Sequence, residues 1–278
     1  MSRPSHERGT VVIVAMLIVA LASIAASFAL QRQDLSVRQL EAARDYEQAR
    51  WVLRGGAHWA RAILAEDARS GRVDHAGELW ASGLPPTDIE QGTLSGEIRD
   101  AQGLFNLANL LREGKPSVRD VAAFKRLLAA LGLRVELAEA IAAAQPLADV
   151  GELRRVRGCD DAVVARLQPF VTVLPQRTAI NVNTARAEVL MAAVEGLGLA
   201  EAAILAQSAG AAPFRSAGEF RTRLPRPDMF VSDGDIAVRS GFFVVHGRAR
   251  IGKADVRLEA LLKREGTALP ATVWLRTS

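Results

Sequence analysis

Residues 7–30 read ERGTVVIVAMLIVALASIAASFAL, and this stretch decides how the rest of the chain is arranged. Thr10–Leu30 carries no charge. As a helix it is long enough to cross the hydrocarbon core of a bilayer, which takes about 20 apolar residues. The junction before it is Glu7-Arg8-Gly9. A secretory signal peptide has its apolar stretch ahead of the cleavage site. A cut after Gly9 would instead leave the apolar stretch on the mature chain. The segment therefore reads as an anchor behind a short leader, with an ordinary uncleaved anchor as the alternative. Arg3 and Arg8 ahead of the span place the N-terminus in the cytoplasm, although Arg32, Arg38 and Arg44 follow it closely. In that orientation the residues beyond about 31 lie outside the cytoplasm.

The chain has 278 residues, 49% hydrophobic and 24% charged. That composition suits a folded chain with one large or two small domains after the anchor. The single cysteine, Cys159, cannot close an intrachain disulfide, so an exported domain must rely on its core or on bound ions. The net charge of +4 is mostly arginine, spread along the chain among acids. This pattern describes a solvated surface better than a nucleic-acid stripe.

After the span, apolar residues from Leu35 to Leu64 recur near helical spacing, which predicts one helix running to about Asp67. Gly55-Gly56 is a candidate bend and Ser70-Gly71 a stop. Gly83–Pro86 reads as a turn. Thr93–Asp100 alternates as a strand, with a hairpin partner ending near Ile89–Gly92. Residues 106–111 read as a loop or short helix. Helices are predicted over 117–131, 134–144, 161–167, 184–194, 200–207 and 216–221, with Ser117, Thr184 and Ser216 as caps. Residues 237–248 and 249–263 read as strands bridged at Gly247, and 272–276 as a last strand. The order of helix, strands, helical block and strands indicates an α+β fold with a helical insertion in a sheet domain.

Several segments together resemble one family, protein K of the type II secretion system, a minor pseudopilin. They are Arg8-Gly9 before the apolar run, Val73–Trp80 (VDHAGELW), Asp100–Leu110 (DAQGLFNLANL), Ile180–Ala185 (INVNTA), Phe214-Arg215-Ser216 and the strand pair around 238–262. The resemblance implies a pseudopilin fold. A long N-terminal transmembrane helix packs on a small antiparallel sheet, and a large helical domain, helix-hairpin-helix-like or SAM-like, is inserted. The expected divisions are leader 1–9, membrane part of the helix 10–30 and its periplasmic part 31–68. Sheet segments 69–114 and 226–278 then flank a helical insertion over 115–225. The resemblance further implies a single-pass inner-membrane protein with its main domain in the periplasm. It implies cleavage after Gly9 by the prepilin peptidase, N-methylation of Thr10, and partnership with the I and J proteins at the pseudopilus tip. The fifth mature residue is Val14, where most pseudopilins carry a glutamate that pairs with the terminal amine of the subunit above. A buried carboxylate without that partner is costly, so valine suits a subunit with nothing above it.

The rival reading is a membrane-anchored extracytoplasmic DNA-binding protein. Leu190–Gly198 followed by Ala202–Ile204 is close to a helix-hairpin-helix, whose Gly196-Leu197-Gly198 turn would offer amides to a phosphate. Against it, Glu195 and Glu201 flank the turn, and Gly158-Cys159-Asp160-Asp161 puts acids at the equivalent place in a similar upstream segment. Nucleic acid is therefore not the expected partner. No histidine spacing, nucleophile elbow or phosphate loop points to an enzyme. His75, between Asp74 and Glu78, reads as a turn histidine. Trp51, Trp59, Trp80 and Trp274 read as core or interface residues. The expected cofactor is none, with calcium left open: Asp228, Asp233 and Asp235 crowd one irregular stretch, and hard oxygen ligands at loop spacing suit that ion.

Overall fold

The computed structural model describes the backbone of residues 6–278 and the side chains of residues 11–28 and 37–278. Residues 1–5, and the side chains of Gly9 and Thr10, lie outside the described residues.

Helix α1 (His6–Ser70) runs through Gly55 and Gly56 without interruption. Its apolar segment Val11–Phe28 has no side covered by the rest of the chain. Further along, Ala49, Leu53, Ala57, Ala60 and Leu64 are buried against the sheet. Their spacing of three and four residues puts them on one face of the helix, and the alanines let the helix lie close to the strands.

The sheet has five strands in simple antiparallel order: β1 (Leu84–Ile89), β2 (Gly92–Asp100), β3 (Phe242–Ile251), β4 (Ala254–Lys263) and β5 (Ala271–Thr277). Pro85 and Pro86 lie within β1, not in the turn expected over 83–86. An edge strand tolerates a missing N–H on its solvent side. The β3–β4 turn falls at Gly252-Lys253 instead of Gly247. Gly252 has φ +53, which a tight two-residue hairpin turn favours. Gly247 sits in mid-strand opposite Gly96. A Cβ there would come within 2.9 Å of Leu53 Cδ2, so glycine lets Leu53 of the crossing helix lie directly on the strand.

The helical body is inserted between β2 and β3. It holds α2 (Val118–Ala130), α3 (Leu137–Ala143), α4 (Asp161–Leu167), α5 (Ala187–Ala193), α6 (Leu199–Ala211) and α7 (Ala217–Thr222). Ser117 and Ser216 cap α2 and α7 as predicted. Thr184 does not cap α5, which begins after Arg186. The core of this body runs from Phe105 to Ile236, so it takes in residues on both sides of the 115–225 span. Two short parallel pairings close it: Phe105-Asn106 with Val171-Thr172, and Ile180-Asn181 with Ile236-Ala237. A small apolar cluster of Ala101, Leu174, Phe242 and Leu261 joins body to sheet, with an Arg276–Asp149 ion pair at 3.0 Å beside it.

Candidate functional site

The segments 73–80, 100–110 and 180–185 are far apart in sequence, yet polar residues from all three meet where the chain enters and leaves the helical body. Arg264 follows β4 and is 7% exposed. Its Nη2 donates to both carboxylate oxygens of Asp74 at 2.6 and 2.5 Å and to the Ser240 carbonyl at 2.7 Å. Its Nη1 donates to Asp67 at 2.8 Å, and the guanidinium lies over the Phe243 ring. Charge-assisted contacts of this kind are among the strongest hydrogen bonds in proteins, although here one nitrogen is shared between both Asp74 oxygens.

Beside it, Asp100 at the end of β2 accepts from four donors. They are Asn181 Nδ2 at 2.8 Å, Thr184 Oγ1 at 2.6 Å, Ser240 Oγ at 2.7 Å and the Gln102 amide at 2.7 Å. Asn181 also donates to the Asp74 carbonyl at 3.0 Å. Gln102 spans the crossing, accepting from the Gly241 amide at 2.6 Å and donating to the Ala179 carbonyl at 3.0 Å. Both connections between sheet and helical body are thus pinned at one buried point.

The charges here do not balance locally. Asp67, Asp74 and Glu78 place carboxylate oxygens within 4.8 Å of one another, and Arg264 pairs with only two of them. Burial, with Glu78 and Asp74 close by, pushes the Asp67 carboxyl up from 3.8 to about 6, against the pull of Arg264. Burial likewise raises the Asp100 carboxyl, although its four hydrogen bonds oppose the shift. For Asp67 the sign follows from linkage. Between its ordinary value of 3.8 and about 6, the folded chain holds a proton that the unfolded chain has lost. Stability from this group therefore falls as pH rises through that window and is level above it. Melting temperatures of wild type and Asp67→Asn across the window are expected to show wild type losing ground to the variant as pH rises. A constant difference would contradict this.

The buried asparagines of these segments satisfy loop backbone. Asn183 accepts from the Phe214 amide at 2.8 Å and donates to its carbonyl at 3.0 Å. Asn109 does the same for Thr178 at 3.0 and 2.8 Å, and Asn106 accepts from Leu174 and donates to Gln176. Buried polar groups need such partners. The signal was present in the sequence as lone asparagines among apolar residues, but what each one faces could not be read from it.

The three aspartates proposed as calcium ligands do not converge. Asp233 pairs with Arg221, Asp235 faces Arg119 at 3.4 Å, and Asp228 faces Arg226 at 3.6 Å. Carboxylates turned to three separate arginines do not fit one divalent ion. Among the described residues the carboxylates that do cluster are Asp67, Asp74 and Glu78, and Arg264 already lies among them as their cation.

Gly196 and Gly198 do form the turn before α6, but the Gly198 amide and the Gly196 carbonyl are taken. The Gly198 amide donates to Glu201 at 2.8 Å, and the Gly196 carbonyl accepts from Arg226. A phosphate arriving there would have to displace a carboxylate from its own amide. His75 is a turn histidine, its Nδ1 accepting from the Gly77 amide at 3.1 Å. Trp80 is buried and Trp274 half-buried, whereas Trp51 and Trp59 are exposed on α1. Val14 is exposed on the anchor segment.

Two models described as "Type II secretion system (T2SS), protein K" match this chain, over residues 140–176 and 180–237. Type II secretion system protein K of Pseudomonas aeruginosa is 29% identical over 93% of this chain and 89% of its own length. The protein of that name from Klebsiella pneumoniae is 29% identical over 94% of each. In fold, the chain is similar to one in the crystal structure of the GspK-GspI-GspJ complex from enterotoxigenic Escherichia coli. The TM-score is 0.73 at 23% identity, covering 86% of this chain and 99% of that one.

Proposed function

We infer that this chain belongs to the type II secretion system protein K family and works as a minor pseudopilin. The observation that carries this is alignment with proteins of that name along nearly the whole chain, on a fold whose one apolar span heads a sheet domain with a helical insertion. Its work is assembly, and it performs no catalysis. The N-terminal helix anchors it in the inner membrane as a single pass. The basic leader (Arg3, Arg8) supports a cytoplasmic N-terminus, with the sheet and helical body in the periplasm.

The partners are the system's I and J subunits; the support is the complex in which the similar E. coli chain was solved. The place in the assembly is the pseudopilus tip, where the subunit helps start growth for export across the outer membrane. Valine at position 14 supports that place, because a subunit with nothing above it has no terminal amine to neutralise. The prepilin peptidase cuts between Gly9 and Thr10. Mass spectrometry of the membrane-extracted chain is expected to find an N-methylated Thr10 as the first residue. An intact Met1 or an unmethylated internal start would sink the processing claim. DNA binding by the helical body is not part of this reading, since Glu201 holds the amide that a phosphate would need.

A further inference from the structure

The five-stranded sheet has two free edges, β1 and β5, and they differ. Pro85 and Pro86 in β1 have no N–H to offer a neighbour. β5 (Ala271–Thr277) holds no proline, no lysine and no acid. Native sheets blunt an edge with such residues, because open backbone groups invite another strand. The one irregularity in β5 is a bulge at Val273, which leaves Trp274–Thr277 in regular register with β4. Arg257 and Ser278 exchange both backbone hydrogen bonds, at 2.8 and 3.0 Å. Antiparallel pairs alternate between bonded and unbonded. Arg276 and Trp274 therefore bond to β4, while Leu275 and Thr277 turn their N–H and C=O to the open edge.

The side chains around this edge decide what can pair there. Leu275 lies beside Ala260 on the α1 face, yet it is 38% exposed because α1 does not reach over it. On the outer face stand Arg276, opposite Glu259, and Arg257, opposite Ser278. Arg61 of α1 donates to the Pro270 carbonyl at 2.6 Å. Arg54, seven residues or about two turns earlier, lies on the same side of the helix. Arg276 pairs with Asp149, and Arg50 with Glu47. Among the described residues Arg54, Arg61 and Arg257 make no ion pair. We propose that this edge takes an extended acidic segment of another protein as a sixth strand, with carboxylates beside Arg276 and apolar side chains beside Leu275. A second copy of this chain does not fit. The Lys253 amide meets Asp45, and Arg264 meets Asp67, so β4 climbs away from the anchor segment and β5 descends toward it. Two chains rising from one membrane present β5 in the same direction and cannot pair it antiparallel. The proposal uses the sheet and the anchor, and it stands apart from the pseudopilin reading.

The test uses the full chain in detergent and a fluorescein-labelled peptide of about seven residues alternating glutamate and valine, followed by fluorescence anisotropy. The peptide should bind and should slow deuterium exchange at the amides of Leu275 and Thr277. Replacing its glutamates by lysine, or methylating its backbone nitrogens, should each weaken binding at least about tenfold. Neither change touches the fold of the protein. Leu275→Pro should weaken binding likewise with its melting temperature nearly unchanged, since that N–H faces away from β4. No binding at about 1 mM peptide, equal binding of the lysine or the methylated peptide, or protection only elsewhere in the chain would overturn the proposal. So would a folded Leu275→Pro that binds as wild type does. Protection of Leu275 and Thr277 that grows with protein concentration alone would mark a second copy and overturn it too.

Discussion

Arg264→Met is expected to destabilise the folded chain by about 3–5 kcal/mol, the usual result of stripping one partner from a buried ion pair. Methionine keeps an unbranched apolar stem as far as the place of Nε, so the change removes chiefly the charged end of the guanidinium. Its removal leaves Asp74, itself 1% exposed, without its cationic partner, and leaves Asp67 beside Glu78 without the arginine that pairs with it. The Ser240 carbonyl loses its donor as well. Arg264→Lys should recover only part of the deficit, because one ammonium placed at Asp74 and Ser240 cannot also make the contact that Nη1 makes with Asp67. Thermal unfolding of the full chain in detergent, followed by circular dichroism, reads both variants. A methionine variant within about 1 kcal/mol of wild type would mean the acids find water or each other without cost.

Asp100→Ala should cost about 3 kcal/mol, since buried donors left without an acceptor cost about 1–3 kcal/mol each and hydroxyls recover part of that by turning. The donors that lose this acceptor are the Thr184 and Ser240 hydroxyls, the Gln102 N–H and the Asn181 amide, of which Asn181 keeps the Asp74 carbonyl. Asp100→Asn should fare little better. It keeps one acceptor, and only the Thr184 and Ser240 hydroxyls can turn to accept from its NH₂ group, whereas the Asn181 and Gln102 N–H groups cannot. The effect should be local to the joint. Amides of residues 101–103 and 237–241 should exchange faster with deuterium, while those of β3 and β4 keep their protection. Uniform loosening of the sheet would show that Asp100 supports the whole fold and is not specific to the joint.

These two residues also mark how far the sequence could be read. Alternation and helical spacing placed α2, α4, the β1–β2 hairpin and the last strands with small errors at their ends. The errors were physical: Pro85-Pro86 looked like a turn because a lone sequence does not say which strand is at the edge. Gly247 looked like one because the helix residue that packs against it, Leu53, is 194 residues away in the chain. The candidate site was less legible. Asp74, Asp100, Asn181 and Ser240 stood in segments that carried the family resemblance, but Arg264 stood just past the last of them.

What the sequence determined by itself were the properties that local chemistry enforces. An uncharged run the length of a bilayer is able to cross one whatever follows it, and the two spacings, near 3.6 and 2, decide which parts are helix and which are strand. Tertiary structure alone decided which polar groups became partners. Whether an aspartate is solvated, calcium-bound or paired depends on what the fold brings within about 3 Å, the reach of a hydrogen bond. Asp228, Asp233 and Asp235 were neighbours in sequence and turned to different arginines. Asp74, Asp100 and Arg264 were distant and became one buried joint, because the helical body leaves the sheet and returns to it at the same place.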